Sequence, residues 1–291
     1  MRLPVPLLRR DPAAHKNDFG HVLVLAGSRH MLGAAALSAL SAMRTGAGLV
    51  TVGIPASLNT ALQKKISPVV MTLSLPETTE QSISARAWNC IQEHLDRFDA
   101  IALGPGLSRH PQTQRLVLKI IKQIAKPLVI DADALFAVAS KTAILRRTKG
   151  IKILTPHEGE MARLIHERKD WVNAHRRRAA AFFAKNYECI LILKGRRTIV
   201  AAPSGGMYIN TTGNVGLATA GSGDVLTGMI AALLGQGIDG WSAARWGVYL
   251  HGKAGDSAAR KKTAAAMLAT DVIEEIPTVL KMQLKLHSRK P

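Results

Sequence analysis

Residues 210–234 read NTTGNVGLATAGSGDVLTGMIAALL. Gly213, Gly216, Gly221 and Gly223 precede an apolar stretch, 225–234, that has the length and composition of a helix. Glycines running into a helix N-terminus let several backbone N–H groups converge on an anion, where the helix dipole also favours negative charge. Asp224 stands at that start. A simple cap would not need two glycines so close before it, so the segment reads as an anion site with a carboxylate beside it. The dipole is expected to keep Asp224 ionised, ready as a base, without raising its pKa toward neutrality.

Working outward, LKGRRTIVAAP at 193–203 brings Lys194 and Gly195 to a strand end, where an ammonium and free backbone can meet phosphate. The stretches 198–202 and 207–211 flank PSGG, a turn composition that fits a hairpin and hence an antiparallel edge. Further upstream, short apolar runs closed by Gly, Pro or Asp fall at 21–25, 49–54, 100–103, 128–130, 151–154 and 190–193. Helical spacing occupies 33–44, 111–125, 158–167 and 170–185, and after the glycine segment 241–260 and 271–286. Near-continuous apolar strands alternating with helices indicate an α/β fold with a mostly parallel sheet covered on both faces. No repeat, low-complexity tract or linker interrupts the pattern, so residues 1–291 are expected to form one domain, with 1–14 as an N-terminal extension.

In open parallel sheets ligands bind beyond the carboxyl ends of the strands, and four strand ends here carry unusual loops. In AGSRHMLGAAALSAL, 26–40, small residues around Gly27, Ser28 and Gly33 allow close approach by a ligand or equally by a packed backbone. The glycine spacing is a poor match to a dinucleotide fingerprint. In LGPGLSRHP, 103–111, two glycines around Pro105 leave room for a flat or bulky ligand. VIDADAL, 129–135, sets Asp131 and Asp133 at a strand end, where they could hold Mg²⁺ through water; for at least one of them, helix N-capping is the simpler expectation. In ILTPHEGEMARL, 153–164, His157 is either a hydrogen-bond donor to a ligand or an exposed loop tip, and the helix dipole suffices to explain Glu158 and Glu160.

The 291 residues contain 39 Lys plus Arg against 20 Asp plus Glu, a formal net charge of +19. Such a balance invites nucleic acid as a partner. The basic residues, however, form short clusters at Arg146, Arg147, Lys149 and Lys152, at 176–178 and at 260–262, outside the glycine loops and without interleaved aromatics, so a base-stacking platform is not expected. A positive field that attracts smaller anions is the alternative. Cys90 and Cys189 have no metal-ligand or disulfide spacing and read as buried free thiols. MRLPVPLLRRDP has no apolar core of signal-peptide length, and no apolar run suits a membrane span, so a cytoplasmic, membrane-free protein is expected.

Read together, GSRHMLGAA, ALGPGLS, VIDADAL, ILTPHEGE, LKGRRT, TAGSGDVLTG and YLHGKAGD resemble the ADP/ATP-dependent NAD(P)H-hydrate dehydratases, in the family's order and over 15–259. The resemblance implies a ribokinase-like three-layer α/β/α sandwich and hydro-lyase chemistry. The substrates would be NADHX and NADPHX, hydrated nicotinamide cofactors whose added hydroxyl is phosphorylated and then lost as phosphate. By motif, Ala34, Gly106, His157 and Asp224 would contact the hydrated cofactor, with Asp224 as base. Lys194, Gly195, Arg196, Arg197 and Thr198, with Gly221 and Gly223, would hold the nucleotide, and the N–H groups of 221–223 would stabilise the transferring phosphoryl. TAGSGD resembles the ADP-using branch, with Mg²⁺ accompanying the nucleotide. The family also implies a homotetramer, and a separate NAD(P)HX epimerase, for which 1–14 leaves no room.

Four positions depart from the family's usual pattern: Asn17 and Ser108 where glycine is common, Phe136 where asparagine is frequent, and Glu158 where proline is. Two other functions compete. A ribokinase-fold kinase of a small alcohol, such as a thiazole or pyrimidine precursor, would use the same base and anion site. A non-catalytic nucleic-acid-binding protein would be indifferent to Asp224→Asn.

Overall fold

The computed structural model describes residues 3–8 and 10–288; Met1, Arg2 and Arg9 of the N-terminal stretch, residues 289–291 and the side chains of Leu8, Arg147, His287 and Ser288 lie outside the description. Nine strands form one sheet: β1 (His21–Leu25), β2 (Leu49–Pro55), β3 (Met71–Leu75), β4 (Ala100–Leu103), β5 (Leu128–Ile130), β6 (Lys152–Leu154), β7 (Ile190–Leu193), β8 (Ile199–Ala201) and β9 (Met207–Ile209). The helices are α1 (Val5–Leu8), α2 (Leu32–Arg44), α3 (Asn59–Gln63), α4 (Ala87–Glu93), α5 (Pro111–Gln123), α6 (Asp133–Ala139), α7 (Glu158–Ile165), α8 (Lys169–Ala174), α9 (Arg176–Asn186), α10 (Ser222–Gly235), α11 (Gly240–Lys262) and α12 (Ala269–Ser288).

The strand order is β3-β2-β1-β4-β5-β6-β7-β8-β9. All pairs from β3 to β7 are parallel, and β7–β8 and β8–β9 are antiparallel, as the hairpin composition around PSGG indicates. Side chains alternate across a strand, so β1 feeds two cores. Val22 and Val24 join the apolar residues of α2, α10, α11 and α12 on one face. Leu23 and Leu25 join those of α4, α5, α6, α7 and α9 on the other. Helices on both faces of one sheet give the three-layer sandwich.

The chain begins mid-sheet, runs out to β3 and returns through β4, so the topology reverses between β1 and β4. A crevice opens beyond the carboxyl ends at such a point. Gly27 N–H donates to Pro105 O across it at 2.8 Å. Similar bonds tie the neighbouring strand ends into one rim: Gly104 N to Leu25 O, Asp131 N to Leu103 O, Thr155 N to Ile130 O and Lys194 N to Pro156 O, at 2.8–3.1 Å.

Several elements differ from expectation. β3 has no apolar run because it is an edge strand, with Met71 and Ser74 exposed. The helix expected over 170–185 is two, α8 and α9, because His175 leaves helical geometry at φ −124° and ψ 32° with its ring stacked on Trp171. Lys152 belongs to no surface cluster. It is buried, its ammonium donates to Leu145 O, Thr148 O and Thr148 Oγ1, and burial lowers its pKa despite the nearby Cys189 and Glu188. Cys189 is buried and its thiol pushed up to about 12, whereas Cys90 is only half-buried.

Candidate active site

The glycine segment packs its helix start against α2. Gly221 caps α10 at φ 85°, a left-handed conformation, and a Cβ there would lie 2.4 Å from Leu37 Cδ1. Ser38 Oγ, from the residue that follows Leu37, donates to Asp224 O at 3.1 Å. Gly106, at φ 64°, closes on the same helix from the other side: its Cβ would stand 2.7 Å from Met31 Cβ and 3.1 Å from Ala34 Cβ. Gly106 and Ala34 are thus neighbours, and Ala34 lies one turn before Ser38, the α2 residue that meets Asp224.

On the other side of the α10 N-terminus lies a cleft of about 1040 Å³. His157, Lys194, Gly195, Arg196, Arg197, Thr198 and Gly223 all line it, together with residues of 210–219, Ser222, His251 and Gly252. Six of the seven residues assigned to the nucleotide are therefore together; Gly221 instead faces Leu37 and Ala269. Ala34 and Gly106 do not line this cleft but pack against each other at the start of α2, and Asp224 stands at the junction of the α2 contact, through Ser38, and the cleft-lining start of α10, through Gly223. NTTGN and YLHGKAGD form the far wall as a pair: Asn210 Nδ2 donates to Val248 O, Gly213 N to Asp256 Oδ2 and Asn214 Nδ2 to Gly255 O, at 2.9–3.1 Å.

The charge at the junction is set by groups far apart in sequence. Lys194 Nζ is 2.8 Å from Asp131 Oδ1 and 3.9 Å from Glu160 Oε2, and Thr227 Oγ1 donates to Asp131 Oδ2 at 2.9 Å. Burial, and then the Asp131 carboxylate, push Asp224 up to about 7; Lys194 pulls it down and Asp133 adds to the rise. This corrects the expectation that the helix dipole would hold Asp224 at an ordinary pKa. The dipole is worth ~0.3–1 kcal/mol at exposed helix ends, and burial beside a second carboxylate outweighs it. Burial disfavours the Lys194 ammonium, but Asp131, Glu160 and Asp224 together raise its pKa. His251, which meets Ser222 Oγ at 3.3 Å, is lowered to about 4 by burial and stays neutral.

His157 is an exposed loop residue, with a capping role the sequence reading did not give it. It caps α7: its Nδ1 accepts from Gly159 N and Glu160 N at 3.0 and 3.4 Å, while Glu160 Oε2 accepts from His157 N at 2.8 Å. With Nδ1 an acceptor, a neutral ring carries its proton on Nε2 and can donate into the cleft. Glu158 does more than favour the dipole. It pairs with Arg176 at 2.6 Å, and Arg176 Nη2 donates to Leu193 O and Lys194 O at 3.2 and 3.3 Å, so Arg176, expected outside the glycine loops, braces the Gly195 turn.

Neither aspartate of VIDADAL caps a helix through its side chain; Ala132 is the N-cap of α6. Both oxygens of Asp131 are engaged by Lys194 and Thr227, and Asp133 accepts from Ser108 N at 2.9 Å and faces Arg109 Nε at 3.6 Å. Among the described residues no group of three or more His, Cys, Asp or Glu side chains could hold a metal. These donors do not fit a protein-held Mg²⁺. The departures also find their settings. Ser108 adopts φ 79°, the region that favours glycine. Phe136 lies under the guanidinium of Arg109 at 4.4 Å and near that of Arg163 at 5.4 Å. Asn17 sits exposed in a 3₁₀ turn outside the left-handed region, so nothing there calls for glycine.

Sequence reasoning missed Thr227, His251 and Arg176, and gave Glu160 too small a part. Only YLHGKAGD, quoted as a motif, signalled His251.

The chain is similar to known proteins along nearly all its length. It is 46% identical over 275 residues to the bifunctional NAD(P)H-hydrate repair enzyme Nnr of Moorella thermoacetica, covering 94% of this chain and 52% of that protein. The chain thus spans about half the length of such curated relatives. It is 34% identical over 270 residues to the ADP-dependent (S)-NAD(P)H-hydrate dehydratase of Xanthomonas campestris, covering 92% and 91% of the two chains. The crystal structure of the ADP/ATP-dependent NAD(P)H-hydrate dehydratase from Bacillus subtilis, co-crystallised with ATP/Mg²⁺, superposes with a TM-score of 0.79 at 30% identity over 94% of each chain. A ribokinase-like superfamily protein of Enterococcus faecalis shares the architecture, with a TM-score of 0.79 at 26% identity over 97% and 95% of the chains. The family model of the NAD(P)H-hydrate dehydratases matches residues 22–278, and with the ribokinase-like sandwich and its strand-end motifs in place, the chain belongs to that family.

Proposed function

We propose that the protein is an ADP-dependent (6S)-NAD(P)H-hydrate dehydratase that returns NADHX and NADPHX to NADH and NADPH. The observation that carries this reading is the placement of Asp224, pushed up to about 7, in the first turn of α10 directly after Gly223, which lines the nucleotide-sized cleft. The hydrated ring lies against Asp224, toward Ala34 and Gly106, with His157 Nε2 donating to it from the cleft wall, and ADP lies along 194–198.

In the first step the ring hydroxyl oxygen bonds to the β-phosphorus of ADP, its proton passes to Asp224, and the bond from that phosphorus to the bridging oxygen breaks with its electron pair on AMP. A positioned base of this kind contributes ~10²–10⁴-fold, and a pKa near the working pH lets it both take and release the proton. The N–H groups at the start of α10 stabilise charge on the transferring phosphoryl. In the second step the ring C–O bond breaks, its electron pair leaves with phosphate, and the proton of the adjacent ring carbon goes to that phosphate as the C=C bond re-forms. Mg²⁺ brought in with ADP would supply charge neutralisation during the transfer.

The choice of ADP rests on TAGSGD and on the name of the Xanthomonas relative. We place the enzyme in the cytoplasm as a homotetramer working with an NAD(P)HX epimerase; among the described residues no helix is long and apolar enough to cross a membrane. Incubation with NADHX and either nucleotide, followed by NADH absorbance, tests the assignment. Return of absorbance with ADP supports it. Accumulation of a phosphorylated small alcohol without NADH would support the kinase instead.

A further inference from the structure

The resemblance implies that Lys194 holds the nucleotide together with 195–198, yet its side chain turns away from that turn to the start of α10. The ammonium lies against the α10 N-terminus: a Cβ on Gly223 would be 3.3 Å from Nζ and 3.7 Å from Asp131 Oδ2. Gly223 immediately precedes Asp224, so Nζ stands at the start of α10 within the electrostatic reach of the base. Among the described residues the ammonium makes one hydrogen bond, to Asp131 Oδ1 at 2.8 Å; Glu160 at 3.9 Å is an ion pair beyond hydrogen-bond length. An ammonium has three N–H donors. Two remain free, and the side chain keeps 20% of its surface open to the cleft.

Asp131 is the fixed end of this arrangement. It is 1% exposed, and Thr227 Oγ1, from one turn further along α10, occupies its second oxygen. β5, β7 and α10 therefore aim one cation at one point. By contrast Gly195, Arg196 and Arg197 are exposed on the turn that follows, available to the nucleotide's outer parts.

Building on the dehydratase reading, we infer that Lys194 is a further catalytic residue whose ammonium donates to the phosphoryl group, during its transfer from ADP and again as it leaves the ring as phosphate, with Asp131 and Thr227 as the residues that position it. Both steps place negative charge on the same phosphate oxygens. A fixed cation beside Gly223 serves both without reorganising. The bonds made and broken are those of the two steps above; Lys194 donates hydrogen bonds and transfers no proton. Its raised pKa keeps it cationic throughout. The inference absorbs VIDADAL and the threonine of VLTG, motif residues to which the reading above gives no other task.

The test compares wild type, Lys194→Gln and the double variant Lys194→Gln with Asp131→Asn, which leaves no buried carboxylate unpaired should the single variant fold poorly. Turnover of NADHX with ADP is followed by NADH absorbance, AMP affinity by calorimetry and folding by thermal melting. Both variants are expected to lose ~10²–10³-fold in kcat, the usual effect of removing a transition-state donor, with AMP affinity unchanged within about threefold, and added ethylamine is expected to restore part of the turnover of Lys194→Ala. A folded Lys194→Gln or double variant that keeps wild-type kcat, or one that loses AMP affinity in proportion to its activity, overturns the inference. Wild type that returns no NADH with either nucleotide would instead defeat the dehydratase reading itself.

Discussion

A carboxylate in the first turn of a helix is ordinarily eased toward its ionised form, and Asp224 shows the reverse because burial and Asp131 outweigh the dipole. As a base it must be ionised, so kcat/KM is expected to rise with pH and level off above a midpoint of about 7; a midpoint near 4 would show that the neighbouring charges do not act as described. The same shift bears on stability. With the folded pKa raised from 3.8 to about 7, the neutral carboxyl's contribution is whole below about 4 and lost as pH rises through about 7. Asp224→Asn should therefore melt higher than wild type at pH ~8 and alike at pH ~4, while losing turnover. A variant less stable than wild type at the higher pH would contradict this. None of it could be read from spacing, since the partners Asp131 and Lys194 are 63 residues apart in sequence and meet only through the sheet.

At the scale of elements, the runs at 21–25, 100–103, 128–130 and 190–193 were readable to the residue because central parallel strands are buried on both faces. β3 was not, because an edge strand needs no such run, and α6 was hidden inside a segment that reads as a loop. The start of α10 depends on Gly221, whose φ of 85° and contact with Leu37 exclude a side chain. Gly221→Ala is expected to cost ~1–3 kcal/mol in chemical denaturation, and wild-type stability would show that α2 can give way. The Glu158–Arg176 pair, where the family more often has proline, braces the turn that follows β7 through the carbonyls of Leu193 and Lys194. Arg176→Ala should raise the KM for ADP several-fold and change kcat less; steady-state kinetics with unchanged KM would make the pair a surface feature.

For the whole molecule, the excess of positive charge is less free than the composition suggests: Lys152 is buried, Arg176 is paired, and Lys194 is held in the site. What remains can still draw in phosphate-bearing ligands. The reversal of topology between β1 and β4 brings the GPG loop to α2, and the stitched rim of strand ends carries the site across to β7. The alternation of strands and helices made that architecture readable, whereas the meeting of Asp131, Lys194 and Thr227 at the start of α10 emerges only from packing. On the reading proposed above, a hydrated nicotinamide ring and ADP meet at one base, Asp224. The most direct test of that reading is to mix the protein with NADHX and ADP and follow NADH absorbance together with AMP and phosphate. The account predicts that all three appear in equal amounts and that Asp224→Asn abolishes them; no NADH with either nucleotide, or full turnover by that variant, would contradict it.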